Sequence, residues 1–103
     1  MHFMITAFDG KDREANARRM KVREQHLEGV KKLVKEGKFL YGAAILDDDS
    51  KMIGSLAIVD YPSRDALENE WLNNEPYITG NVWQDIDIKP CRVADFLLDK
   101  SLI

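Results

Sequence analysis

Apolar and polar positions change their spacing several times along the chain, and each change predicts an element. Residues 2–8 (HFMITAF) form a short apolar run rich in β-type side chains and close on Asp9-Gly10, a strand with its turn. From about Asp12 to Glu36 proline is absent, glycine nearly so, and Lys, Arg, Glu and Ala are dense; Gly37 then stands where a helix C′ residue belongs. That predicts a long first helix, with Gly29 its one weak point. Residues 39–46 (FLYGAAIL) and 52–60 (MIGSLAIVD) are apolar again and flank Asp47-Asp48-Asp49-Ser50, which predicts a hairpin. Pro62-Ser63 sets up an N-cap, and Ala66, Leu67 and Trp71 carry a helical spacing that fades at Asn73-Asn74. Glu75-Pro76-Tyr77 and Gly80 read as a turn into residues 82–89. There Val82, Gln84, Ile86 and Ile88 alternate with Trp83, Asp85, Asp87 and Lys89, the period of a last strand with two distinct faces.

The predicted order is β-α-β-β-α-β, so the expected fold class is α+β: a ferredoxin-like, four-stranded antiparallel sheet with two helices on one face, in one domain over residues 1–103. Strands one and two carry apolar residues at both parities (Phe3, Ile5 and Met4; Leu40, Ala44 and Phe39, Ile45), whereas a strand with one wet face should alternate. A second copy of the same sheet is the simplest cover, and a homodimer is expected. The tail, residues 92–103, holds Val93, Phe96, Leu97, Leu98, Leu102 and Ile103 and is expected to dock on its own domain or on a partner's.

The first helix gives the pattern a chemical meaning. At about 100° per residue, Met20, Leu27, Val34, Val30 and Leu33 share one arc, while the Lys, Glu and Gln residues from Lys21 to Glu36 lie on the opposite side. Arg19, Arg23 and His26 fall inside the apolar arc. Its C-terminal half is therefore aliphatic, and its N-terminal half turns two guanidiniums and an imidazole towards the sheet. Buried cations without partners cost several kcal/mol each, so either carboxylates of the chain pair with them or the helix overhangs a cleft that takes an anion. The competing reading is a rim histidine bonded to a backbone carbonyl, with arginines that snorkel outwards.

Composition narrows the field. With 103 residues there is room for one core, and 45% apolar with 32% charged side chains are the proportions of a water-soluble globular chain. Fifteen basic residues against eighteen acidic ones, dispersed along the chain, argue against nucleic acid. No run approaches the ~20 apolar residues of a membrane span, and the N-terminus lacks a leader's basic start and cleavage site. The one cysteine, Cys91, rules out an internal disulfide and suits a reducing compartment, so a cytoplasmic location is expected. Asp47-Asp48-Asp49 lacks the ligand spacing of a calcium loop, His2 has no partner at metal-ligand spacing, and no metal or cofactor is expected.

Val22-Arg23-Glu24-Gln25-His26-Leu27, then Gly37-Lys38-Phe39-Leu40 and Gly42, then Glu75-Pro76-Tyr77, Gly80 and Ile88-Lys89-Pro90 together resemble the YCII-related (YciI-like) family over nearly the whole chain. The resemblance implies a ferredoxin-like fold paired into a dimeric α+β barrel. It also implies an active site built on the helix-one histidine and on an aspartate before Pro-Tyr. His26 takes the first place. Glu75 stands in the second, with the same charge and one more methylene, which moves the carboxylate by ~1.5 Å. The Gly-Pro that often follows strand two is replaced by Gly42-Ala43.

A carboxylate that orients an imidazole holds one tautomer and poises a general base. On this reading His26 and Glu75 form a catalytic dyad, Arg23 and Arg19 bind the anionic part of a small substrate, and Tyr77 lines the pocket. The reaction would be an isomerisation or elimination on a small ring or unsaturated acid. Asp85 is a second candidate acid on a face expected to point away from His26. A non-catalytic ligand-binding or assembly domain and a haem or flavin accessory protein are the alternatives.

Overall fold

A computed structural model describes residues 1–98. The strands are β1 (His2–Asp9), β2 (Phe39–Leu46), β3 (Met52–Asp60) and β4 (Trp83–Cys91). They form one sheet in the order β2-β3-β1-β4 with every neighbour antiparallel. The helices are α1 (Ala15–Lys35), α2 (Arg64–Glu70), α3 (Pro76–Thr79) and α4 (Asp95–Leu98), with a 3-10 turn at Leu72–Asn74 between α2 and α3. This is the ferredoxin-like α+β arrangement. Both hairpin strands have the expected limits, and Ser63 caps α2 by accepting a hydrogen bond from the Ala66 amide at 3.1 Å.

Three local expectations are corrected. The first helix starts at Ala15, not near Asp12, because the Asp12 carboxylate takes the Glu14 amide at 3.2 Å and clamps both Arg18 Nη atoms at 2.8 and 2.6 Å. A side chain that satisfies the backbone in this way competes with helix formation. Glu75-Pro76-Tyr77 opens a helical turn instead of a plain connection: Glu75 caps α3 through the Tyr77 amide at 3.1 Å, and Pro76 fills the first position, where no amide is required. In β4 the alternation breaks. A register shift between Phe8 and Asp9 sets Trp83 opposite Asp9, so Trp83 joins the core on the helix side, while Asp85, opposite Phe8, stays outside.

The core lies between sheet and helices. Phe3, Ile5 and Ala7 of β1 and Ala57 and Val59 of β3 meet Leu67, Trp71, Leu72, Tyr77, Val82 and Trp83. The first helix is turned further than its aliphatic pattern suggested: Ala15 and Arg19 are buried and Val22, Arg23, His26, Val30 and Leu33 half-buried, yet Met20 and Val34 are 53% and 54% exposed. Its inward arc is centred on His26, because Arg19 and His26 find carboxylates inside and their burial is compensated. Gly37 ends the helix at φ +75, with its amide on the Val34 carbonyl.

The far face of the sheet carries Met4, Leu56 and Ile58. Part of the tail returns to the fold: Val93 is buried with its amide on His2 Nδ1 at 3.1 Å, and the Tyr41 hydroxyl donates to the Leu97 carbonyl at 2.6 Å. The docking expected of the tail beyond Leu98 lies outside the described residues. No helix among them is long and apolar enough to cross a membrane.

Candidate functional site

The two motifs that chemistry most needs, far apart in sequence, meet in space. His26 Nδ1 is hydrogen-bonded to Glu75 Oε1, and Glu75 is 2% exposed. The carboxylate is held on all sides: Oε1 also accepts from the Tyr77 amide at 3.1 Å, and Oε2 accepts from the Trp71 indole at 2.8 Å. Three donors thus meet the hydrogen-bonding capacity of this buried side chain. Glu75 is the N-cap of α3, and from that position its side chain reaches His26 on α1.

In the tautomer that donates from Nδ1 to Glu75, Nε2 is an acceptor, and no described residue hydrogen-bonds to it. His26 lines a cavity of about 340 Å³ between α1 and strands β2 and β3. Its walls include Arg19, Arg23, Tyr77 and Trp83 at one end and Leu27, Val30, Val34 and Phe39 at the other. The imidazole stacks on Tyr77 with ring centres 3.9 Å apart and an interplanar angle of 13°, and it meets Trp83 edge-on at 6.0 Å. Burial raises the Tyr77 phenol above its ordinary range, which keeps it neutral.

Arg19 and Arg23 part company. Arg19 is 3% exposed; its Nη1 reaches both Asp9 oxygens at 2.9 and 3.0 Å, and its Nη2 donates to the Ser55 hydroxyl at 2.9 Å. The guanidinium carbon also sits 4.7 Å from the centre of the Tyr77 ring. Ser55 Oγ in turn accepts from the Trp83 indole at 3.1 Å. Burial pushes the Asp9 carboxyl up, and the Arg19 contact pulls it back. Arg23 reaches the cavity wall with no ion-pair partner among the described residues.

Sequence reasoning missed Asp9, Ser55, Trp71 and Trp83. Asp9 looked like half of a turn, and only the β1–β4 register shift brings Trp83 inwards. The inward place of Arg19 was a signal for some acid or anion beside it, but no pattern singled out Asp9. Asp85 faces away from this cavity and lines a separate depression with Phe8 and Lys51. The Asp47 carboxylate folds its own loop, taking the Asp49 and Lys51 amides at 2.9 Å each.

A family model for the YCII-related domain matches residues 1–92, and the chain belongs to that family. An uncharacterised protein of Haemophilus influenzae is 30% identical over 81 residues, covering 73% of this chain and 82% of that one. Among solved structures, the 5-chloro-2-hydroxyhydroquinone dehydrochlorinase of Burkholderia phenoliruptrix, in complex with 2,5-dihydroxybenzoquinone, is similar at TM-score 0.76 and 21% identity, over 93% of this chain and 98% of that one. An antibiotic biosynthesis monooxygenase is similar at TM-score 0.51 and 17% identity, over 90% and 97% of the two chains. At these identities the likeness is one of fold.

Proposed function

We propose that this YCII-related domain is a small enzyme without a cofactor that moves a proton on a small anionic, ring-shaped or unsaturated substrate, with His26 as general base and acid. The observation that carries this reading is the hydrogen bond from His26 Nδ1 to the buried Glu75, which leaves Nε2 free on a ring in the cavity wall. Glu75 fixes the tautomer and stabilises the imidazolium that forms, while Arg23 draws the substrate's carboxylate or phenolate. Arg19 is spoken for by Asp9 and Ser55, so it adds positive charge to the wall and steadies Tyr77, against which the imidazole rests.

The chemistry available is elimination or isomerisation. In an elimination, His26 takes a proton from the substrate, the electrons of the broken bond to hydrogen enter a new double bond, and a leaving group departs with its own pair. In an isomerisation the same proton returns to a different atom. The solved neighbour named for a dehydrochlorinase makes halogenated hydroxyhydroquinones natural first substrates to try.

The test is turnover of 5-chloro-2-hydroxyhydroquinone and of small unsaturated cyclic acids by wild type, His26→Ala and Glu75→Gln, followed by halide release and by exchange of solvent deuterium into substrate. His26→Ala is expected to lose about 10²–10⁴-fold of any activity found. Ligand binding without turnover or exchange in wild type would favour a non-catalytic binding domain.

The protein is further proposed to act as a homodimer, with Met4, Leu56 and Ile58 on the sheet face away from the helices as its seam. Light scattering at micromolar concentration should then give twice the chain mass, and Ile58→Lys should halve it.

A further inference from the structure

The cavity beside His26 is longer than a single ring requires, and its two ends differ in chemistry. It runs parallel to α1. At one end Arg19 reaches Ser55; at the other Val34 lies near Phe39 and Leu40. The hairpin register gives the same direction, with Ala44 opposite Ser55, Gly42 opposite Ala57 and Phe39 opposite Val59. At ~1.5 Å per residue, Arg23 and Val34 are about 16 Å apart along the helix, and His26 and Val34 about 12 Å. A ring held at His26 would leave the stretch past Val30 unfilled.

The charged groups in the described wall are Arg19, Arg23 and His26, all towards one end, and no carboxylate lines it. The other end is made of Leu27, Val30, Val34, Phe39 and Leu40, with Gly42 low in the floor between the two ends and Ala44 opposite Ser55 at the charged end. At Gly42 a Cβ would lie 2.7 Å from the Phe39 ring, which leans over the floor, so any side chain there would have to push that ring aside. Leu27 and Val34 keep 36% and 54% of their surface exposed along this trough. A volume of about 340 Å³ is at the small end of cavities that bury a ligand, which suits a narrow channel.

We propose that the substrate of this site is an amphiphile, with an anionic or enolic head at Arg23 and His26 and an unbranched apolar chain along Val30 and Val34. The proposal rests on the acid–base reading for what happens to the head, and on the cavity alone for the chain. Charge complementarity selects the head and the aliphatic trough selects the chain.

The experiment is a calorimetric or Trp83-fluorescence titration of the whole chain with sodium alkanoates from acetate to decanoate. The association constant is expected to rise about fourfold per methylene, as burial of one CH₂ implies, and to level off once the chain outgrows the trough. Arg23→Met should lower every length by one common factor. Val30→Phe should lower decanoate by about tenfold or more while leaving butanoate unchanged, as loss of two or more methylene sites requires. Val34→Asn, at an exposed position that tolerates a polar side chain, should flatten the slope without threatening the fold. A constant indifferent to length, as a second copy seated on the trough would give, overturns the proposal. So does a slope that both Val30→Phe and Val34→Asn leave intact. The readout is binding alone: a slope without turnover would sink the acid–base reading and leave the amphiphile, whereas turnover without a slope would do the reverse.

Discussion

Two buried acid–base pairs tie α1 to the rest of the fold, and they are built to opposite ends. In Asp9–Arg19 both partners are almost fully enclosed, with side-chain exposures of 3% and 4%, and Arg19's terminal nitrogens are taken up by Asp9 and Ser55. In Glu75–His26 the acid is enclosed and the imidazole keeps one nitrogen uncommitted beside a cavity. In the first pair the guanidinium only donates and has no lone pair with which to take a proton. The second has a fixed donor side and an open acceptor side, which is what a general base needs. The difference teaches that inward-facing charge is not by itself a sign of chemistry; a lone-pair acceptor left uncommitted beside a cavity is.

Breaking the closed pair should cost the most. Asp9→Ala leaves Arg19 charged, buried and half-paired, and is expected to lower stability by about 3–5 kcal/mol in chemical denaturation. The open pair should answer differently: His26→Ala is expected to cost less than half as much stability, because Glu75 keeps the Trp71 and Tyr77 donors, while turnover falls steeply. Equal stability losses in the two variants would erase the distinction. Trp71→Phe likewise removes one donor from the buried Glu75 carboxyl group, and should cost about 0.5–1.5 kcal/mol, the net range for one hydrogen bond.

The smallest effect belongs to a third, exposed pair. The Arg18 guanidinium holds the Asp12 carboxyl down at about 2, below its ordinary 3.8. A lowered carboxyl stabilises the fold above pH 3.8 and loses that contribution as pH falls from 3.8 towards 2. Asp12→Asn should therefore remove part of the acid slope between those values, with little change in unfolding at neutral pH.

Much of this was legible before any coordinates. Apolar runs bounded by turn residues located β1, β2 and β3, and Ser63 and Gly37 marked helix ends for reasons of capping and positive φ. The inward turn of Arg19, Arg23 and His26 followed from their places on α1. What could not be read was which acid Arg19 would meet, since Asp9 reaches it only through tertiary packing; Glu75 was matched to His26 by the family resemblance and by no local pattern. The face of Trp83 was hidden for a related reason: a bulge opposite Phe8 and Asp9 reverses the parity of β4, and no local pattern announces it. Likewise, the exposure of Met20 and Val34 depends on how far α1 is rolled, which the buried pairs set.

The central claim is that Glu75 holds His26 with Nδ1 protonated and Nε2 bare towards the cavity. Long-range ¹H–¹⁵N NMR of the histidine rings at neutral pH reads this directly. The account predicts the Nδ1–H form for His26 in wild type, a mixture of tautomers in Glu75→Gln, and a shift confined to Nε2 when an anionic ligand is added. An Nε2–H ring in wild type, unchanged by Glu75→Gln, would contradict it.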